Sequence, residues 1–245
     1  MKREILVLII LILMVVTLNY SFIDSALSDS FKNYETGVVE RVIDGDTVVI
    51  NGTSIRLLGL NSPEKGEKFY TESRNFLEEK VLEKEVRLVF GKDKFDLYGR
   101  KLAYLFIGSY NVNLESVKEG HSNFYFPSGK DSFYDEFVLA WEECLSKNMN
   151  LCEKSAETCL KLETWDIKGQ KVVLKNICSK NLDISGWSIK DEGRKKYILK
   201  NKILSPEEKL ILTTQDWNKT YVWTATGDSI FIRDSEGKLV YWDSY

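Results

Sequence analysis

Short β-branched and aliphatic runs, cut at close intervals by Gly, Asn or Asp, recur from residue 37 to the end of the chain. Such runs are too short for globular helices and too regular for loops, so the chain is bound to fold mainly as β-structure. The first runs are 37–43, 47–50 and 54–60, separated by Asp44-Gly45-Asp46 and Asn51-Gly52. Asn-Gly between two such runs predicts a tight hairpin, because both positions tolerate positive φ. Between 70 and 82 the pattern changes: Phe76, Leu77 and Val81, with Glu, Arg and Lys among them, predict an amphipathic helix.

Strands at 85–90 and 101–107 follow, then helices at about 112–119 and 132–146. Five short strands with a helix between the third and fourth predict a small Greek-key barrel of the OB type. From about residue 158 the texture is all β, with runs at 171–176, 182–189, 196–199, 209–212 and 229–234. That regular spacing predicts a β-sandwich. The 43% hydrophobic content is enough to bury both cores.

The amino terminus is different. Lys2 and Arg3 precede an apolar stretch at 5–23, which as a helix would be about 28 Å long, close to a hydrocarbon core. This predicts one transmembrane helix within 1–24 and a tether at 25–35, with positive charge inside and the remaining chain extracytoplasmic. A cleaved signal peptide, giving a secreted chain, is the competing expectation.

Lys plus Arg number 34 against 37 Asp plus Glu, and a net charge of −3 supplies no global basic field. Any nucleic-acid affinity must therefore come from a local patch. With one histidine, His121, the chain cannot build a His-rich zinc site or a paired-histidine phosphodiesterase. Its chemistry falls to carboxylates, Arg, Lys and Tyr. The four cysteines, Cys144, Cys152, Cys159 and Cys178, contain no C-x-x-C pair, so two disulfides in an exported chain are expected rather than zinc. Three connectivities are open.

The polar residues that stand out are Asp44-Gly45-Asp46-Thr47, the stretch from Arg56 through Asn61-Ser62-Pro63-Glu64, and Asp96-Leu97-Tyr98-Gly99-Arg100. Singly, each is explained by turn chemistry or by an Arg at a barrel end. In this order they closely resemble the staphylococcal, thermonuclease-type nuclease family over about 37–151. The resemblance implies Asp46, Asn61 and the Ser62 carbonyl as calcium ligands, and Arg56, Glu64 and Arg100 as catalytic residues. It further implies Asp44 as a carboxylate supporting the metal site and Tyr98 as a contact to the nucleotide phosphate. Phosphodiester hydrolysis needs charge neutralisation, a base for water and donors for the pentacoordinate transition state, and this set supplies them without histidine. The Arg forks suit phosphate, and an all-oxygen donor set suits a hard cation. Asn61 stands where the family's type member has Asp, and Ser62 where it has Thr. Phe124, Tyr125 and Phe126 occupy the stretch that lines the family's base pocket; they are expected either to stack on a nucleobase or to close the core. His121 is expected to be structural.

The phrases Asn181-Leu182-Asp183-Ile184-Ser185-Gly186-Trp187, Leu204-Ser205-Pro206 and Gly227-Asp228-Ser229-Ile230 resemble a lamin-tail domain, an immunoglobulin-like sandwich. Trp187 is expected in its core; Trp217, Trp223 and Trp242 are expected in the core or exposed. The expected domains are a nuclease barrel at 36–155 and a lamin-tail-like sandwich at 158–245, with the disulfides tying the last barrel helix to the start of the sandwich. Together these imply a membrane-anchored, calcium-dependent endonuclease acting on DNA or RNA. The alternative is a non-catalytic nucleic-acid-binding or envelope-associated protein on the same folds.

Overall fold

At Asn51 and Gly52 the backbone is left-handed, with φ of 49° and 69°, and joins β2 (Thr47–Ile50) to β3 (Thr53–Leu57) as the Asn-Gly pair predicts. The structure, a computed structural model, describes residues 34–245 and the single positions Ile5 and Met14. The transmembrane helix expected within 1–24 lies outside the described residues; among those described, no helix is long and apolar enough to cross a membrane.

β1 (Tyr34–Asp44) pairs with β2 across the Gly45-Asp46 turn. The expected strand 54–60 breaks after β3 and resumes as β4 (Gly59–Asn61). Gly59 makes this break possible: its φ is 75°, and a Cβ there would lie 2.8 Å from the Phe137 ring. Next come α1 (Tyr70–Val81), β5 (Glu85–Phe95), β6 (Lys101–Ile107), β7 (Tyr110–Asn111), α2 (Val112–Lys118), β8 (Asn123–Tyr125) and α3 (Tyr134–Lys147). The sheet order is β3-β2-β1-β5-β6-β7, and a parallel pairing of β3 with β6 closes five strands into the expected OB-like barrel. Inside it, Val39, Val48, Ile55, Leu88 and Leu105 are buried with Leu77 and Val81 of α1.

The second half holds β9 (Leu160–Asp166), β10 (Lys171–Asn176), β11 (Leu182–Asp183), β12 (Ser188–Lys190), β13 (Lys196–Ile198), β14 (Ile203–Leu204), β15 (Lys209–Thr213), β16 (Ser229–Arg233) and β17 (Leu239–Ser244). Sheets β15-β10-β9 and β13-β12-β16-β17, with the β11–β14 ribbon, make the expected sandwich. Trp187, Trp217 and Trp223 are all buried in its core.

The two halves share apolar contacts. Ile230 and Ile232 of β16 face the sandwich core, while Phe231 between them is buried in the barrel cluster, as strand alternation requires. Phe231 packs edge-on against Trp141 of α3 (centroids 5.6 Å apart), and Trp242 of β17 against Trp141 (6.1 Å) and Phe124 (6.2 Å). Residues Thr36–Tyr245 thus form one compact unit.

Both disulfides form, but neither ties the barrel to the sandwich as expected. Cys144–Cys152 anchors the end of α3 to the turn after it, and Cys159–Cys178 closes a loop within the sandwich. Backbone hydrogen bonds make the junction instead: Leu239 N–H donates to Glu153 O (2.7 Å) and Ser155 N–H to Leu239 O (2.9 Å).

Candidate functional site

The Gly45-Asp46 turn is held tightly against α1. A Cβ on Gly45 would stand 1.9 Å from Ser73 Oγ and 2.8 Å from Ser62 Cβ, so only glycine admits this approach. The turn thereby places Asp46 beside the end of β4. The Asp46 carboxylate is buried: Oδ2 accepts from the Ser62 N–H and hydroxyl (both 3.0 Å), and Oδ1 accepts from the Thr47 hydroxyl (2.9 Å).

Arg56, opposite Thr47 in the β2–β3 hairpin, completes the cluster. Its Nη2 lies 3.1 Å from Asp46 Oδ2 and donates to Asn61 Oδ1 (3.3 Å), while Nη1 donates to Leu57 O (2.8 Å). Burial works against ionising Asp46, but the Arg56 charge and the Ser62 and Thr47 hydrogen bonds outweigh it and hold the carboxyl below its usual range. For Asp44, burial and then the Asp46 charge push the carboxyl up to about 6. The turn therefore carries two carboxyls with opposite shifts.

Glu64 follows Pro63 and is exposed. Its N–H donates to Glu67 Oε2 (2.9 Å), and its Oε1 pairs with Arg194 Nε (2.8 Å). Arg194 belongs to the β12–β13 loop of the sandwich. The same loop reaches Asn61, whose Nδ2 donates to Gly193 O (2.9 Å) and Glu192 O (3.4 Å). Sequence reasoning missed this loop, because Asp191-Glu192-Gly193-Arg194 carries only ordinary turn composition.

The structure thus brings Asp44, Asp46, Arg56, Asn61 and Ser62 into one contact cluster with Glu64 at its edge. Tyr98 and Arg100 belong to the Asp96 turn. The Asp96 carboxylate accepts from the Tyr98 and Arg100 N–H groups and pairs with Arg100 Nε (2.7 Å), and Tyr98 is exposed. Among the described residues no hydrogen bond or ion pair joins these two to the cluster, although the β3–β6 register, Arg56 opposite Leu102, brings the strand that follows them alongside β3. Of the three ring candidates, Phe124 is core, Phe126 packs on Tyr134 and Phe137, and half-buried Tyr125 lies beside Gly193. His121 stacks on Phe76 (4.2 Å) as a structural residue.

The donors fit a hard cation. Among the described residues no three Asp, Glu, His or Cys side chains converge as a metal cluster, so a cation here would rely on Asp46 together with amide and main-chain oxygens, with Asp44 nearby. Asp46 Oδ2 and Asn61 Oδ1 already share one cationic group, Arg56 Nη2, and so converge on one positive point.

A family model described as Staphylococcal nuclease homologue matches residues 54–153, and one described as Lamin Tail Domain matches 154–245. The chain is 30% identical over 170 residues to a Thermonuclease of Staphylococcus intermedius, covering 63% of this chain and all of the relative. It is 31% identical to a Thermonuclease of Staphylococcus hyicus (61% of this chain, 98% of the relative) and 32% identical to an Uncharacterized endonuclease of Haemophilus influenzae (52% and 71%). A barrel with this polar cluster, two thermonucleases matched over nearly their whole length and a sandwich matched by the second model lead to one assignment: the chain belongs to the staphylococcal nuclease family, and is a nuclease that carries a C-terminal Lamin Tail Domain.

Proposed function

We propose that this protein is a calcium-dependent, extracytoplasmic endonuclease that hydrolyses phosphodiester bonds of DNA and RNA, with residues 1–24 as its membrane anchor. The observation that carries the catalytic part is the buried Asp46–Arg56–Asn61–Ser62 cluster with the Glu64 carboxylate at its edge. Asp46, Asn61 and the Ser62 carbonyl would hold calcium, with Asp44 as a nearby carboxylate. Calcium, when bound, neutralises charge on the phosphate oxygens.

The chain's own groups do the rest. Arg56 donates to the scissile phosphate and offsets the extra charge of the pentacoordinate transition state. Glu64, exposed at the edge of the cluster, takes the proton of the attacking water on its carboxylate. Water attacks phosphorus, the bond to the 5′-oxygen breaks, that oxygen takes a proton from solvent and leaves as a 5′-hydroxyl, and a 3′-phosphate remains. Arg100 and Tyr98 serve as further phosphate contacts from the Asp96 turn. The extracytoplasmic placement is supported by the pairing of all four cysteines, which suits an oxidising compartment.

Plasmid and RNA digestion, with calcium and then with chelator, tests the reaction. Cleavage in calcium that stops on chelation is expected. Equal cleavage in both conditions would sink the calcium assignment, and no cleavage in either would sink the catalytic one. Membrane fractionation with external protease tests the anchor: intact chain in the membrane fraction, with its domains accessible, is expected.

A further inference from the structure

Between the barrel and the β13-β12-β16-β17 sheet of the sandwich lies a pocket of about 80 Å³, walled in part by Pro63, Glu67, Lys68, Lys190, Lys196 and Arg233. It has room for several waters. Four cations meet one carboxylate there, in a chain whose net charge is −3. Glu67 is already engaged: Oε1 pairs with Lys196 Nζ (2.9 Å) and Oε2 accepts from the Glu64 N–H. Lys68 Nζ binds the Glu236 carbonyl and Arg233 Nη1 the Gly237 carbonyl (3.1 Å), both neutral acceptors, and the opposite charges that act on Arg233 are those of Glu67 and Asp234.

The side-chain ammonium of half-buried Lys190 makes no hydrogen bond or close ion pair among the described residues, and Glu67 and Asp191 are the carboxylates whose charge it feels. It also sits directly opposite Lys196 in the antiparallel β12–β13 pair, a like-charge arrangement that costs stability. Burial pushes the Lys190 ammonium below the usual lysine range, opposed by the Glu67 and Asp191 charges and reinforced by Arg233 and Lys196; burial likewise lowers Arg233 to about 10. Cations withdrawn from water and crowded together in this way are stabilised by an anion that enters between them.

The pocket's position selects the anion. Pro63 in its wall stands between Ser62 and Glu64, and Asn123, another wall residue, is the cross-strand partner of Asn61. An Arg fork and three Lys point charges are phosphate-binding groups. We propose that this pocket is a phosphate-binding subsite, built jointly by barrel and sandwich, that takes a backbone phosphate of the nucleic-acid chain beside the one being cut. The assignment rests on the nuclease function proposed for the Asp46–Glu64 site.

Binding by the full chain carrying Glu64→Gln, in chelator, to a fluorescent single-stranded oligonucleotide across a salt series tests it without turnover. Lys190→Met is expected to weaken binding about tenfold and to lower the slope of log affinity against log salt by about 0.7, the share of one single-strand phosphate. Lys196→Met, on the exposed strand edge, serves as the second variant should Lys190→Met not fold, and Lys200→Met controls for an exposed lysine outside the pocket. A folded Lys190→Met or Lys196→Met with the parent's affinity and slope overturns the subsite. Inorganic phosphate provides the other arm: its binding lost in Lys190→Met while oligonucleotide binding persists would mark a free-phosphate site and also overturn the proposal. A shifted slope in a protein that cuts no plasmid leaves the subsite standing and the catalytic function refuted; cutting with an unshifted slope does the reverse.

Discussion

Asn61 has to satisfy two neighbours at once. Its Oδ1 faces Arg56, and its Nδ2 donates to the carbonyls of Gly193 and Glu192. A carboxylate at this position would point an oxygen at two carbonyl oxygens, so the neutral amide is the side chain compatible with the docked sandwich loop. Asn61→Asp should therefore tighten calcium binding, because added ligand charge raises affinity, yet cost about 1–3 kcal/mol of stability in chelator. Activity against free calcium and denaturant titration check the two halves; an unchanged calcium midpoint would remove Asn61 from the metal ligands. Glu64→Ala and Arg56→Ala should each lower turnover by about two orders of magnitude or more. Their stabilities should differ. Glu64 is exposed, so its loss leaves the melting temperature near the parent's, whereas Arg56→Ala strands the buried Asp46 carboxylate at a cost of about 3–5 kcal/mol. Full activity in folded Glu64→Ala would refute the assigned base.

At the level of elements, the loop between β12 and β13 carries the clearest pH dependence. Burial and then the Asp228 charge push Asp191 up to about 6 and Glu192 up to about 8. A carboxyl whose folded pKa lies above its unfolded one adds stability that is fully present below the unfolded pKa and is lost as pH rises through the folded pKa. In chelator, the melting temperature should therefore fall between about pH 4 and pH 8, and Glu192→Gln should flatten most of that fall; a parent curve that rises over this window would contradict the assignment. Opening the Cys159–Cys178 loop, of sequence separation 19, should cost about 3 kcal/mol without undocking the halves, because the bridge lies within the sandwich. Denaturant titration of Cys159→Ser/Cys178→Ser measures it. The elements legible in the sequence were those whose signals are local. β2 and β10 end where their turn residues stand, and the Asp44 to Glu64 motif is short enough to be recognised whole. The far half of β5 was not legible, because Lys92, Asp93 and Lys94 break its apolar pattern, and β4 and β8 are only three residues each. The Arg194 contact to Glu64 joins residues from different halves of the chain, a relation that no local pattern encodes.

In the whole molecule, the sandwich is the outer wall of the barrel's core rather than an appendage. Trp141 is fully buried beneath Phe231 and Trp242, and Leu239 belongs to the same cluster. Since β16 is buried on both faces, its apolar run cannot serve one half alone. The segment 61–67 then inherits its position from this docking, because Glu64 and Asn61 bind the β12–β13 loop and Glu67 pairs with Lys196 of β13, in the sheet that holds β16. Two consequences are measurable. Phe231→Ala should cost about 3–5 kcal/mol, the range for a large aromatic removed from a packed core, although Phe231 is far along the chain from the candidate site residues of the barrel. In the parent chain, heating should melt both halves in one transition, seen alike by tryptophan fluorescence, which has reporters in each core, and by far-ultraviolet circular dichroism. In Phe231→Asp a buried unpaired charge sits at the junction, so the transition should split and nuclease activity should fall before the sandwich melts. Two separate transitions in the parent, or activity in Phe231→Asp that survives to the parent's melting temperature, would show that the barrel holds its site without the sandwich.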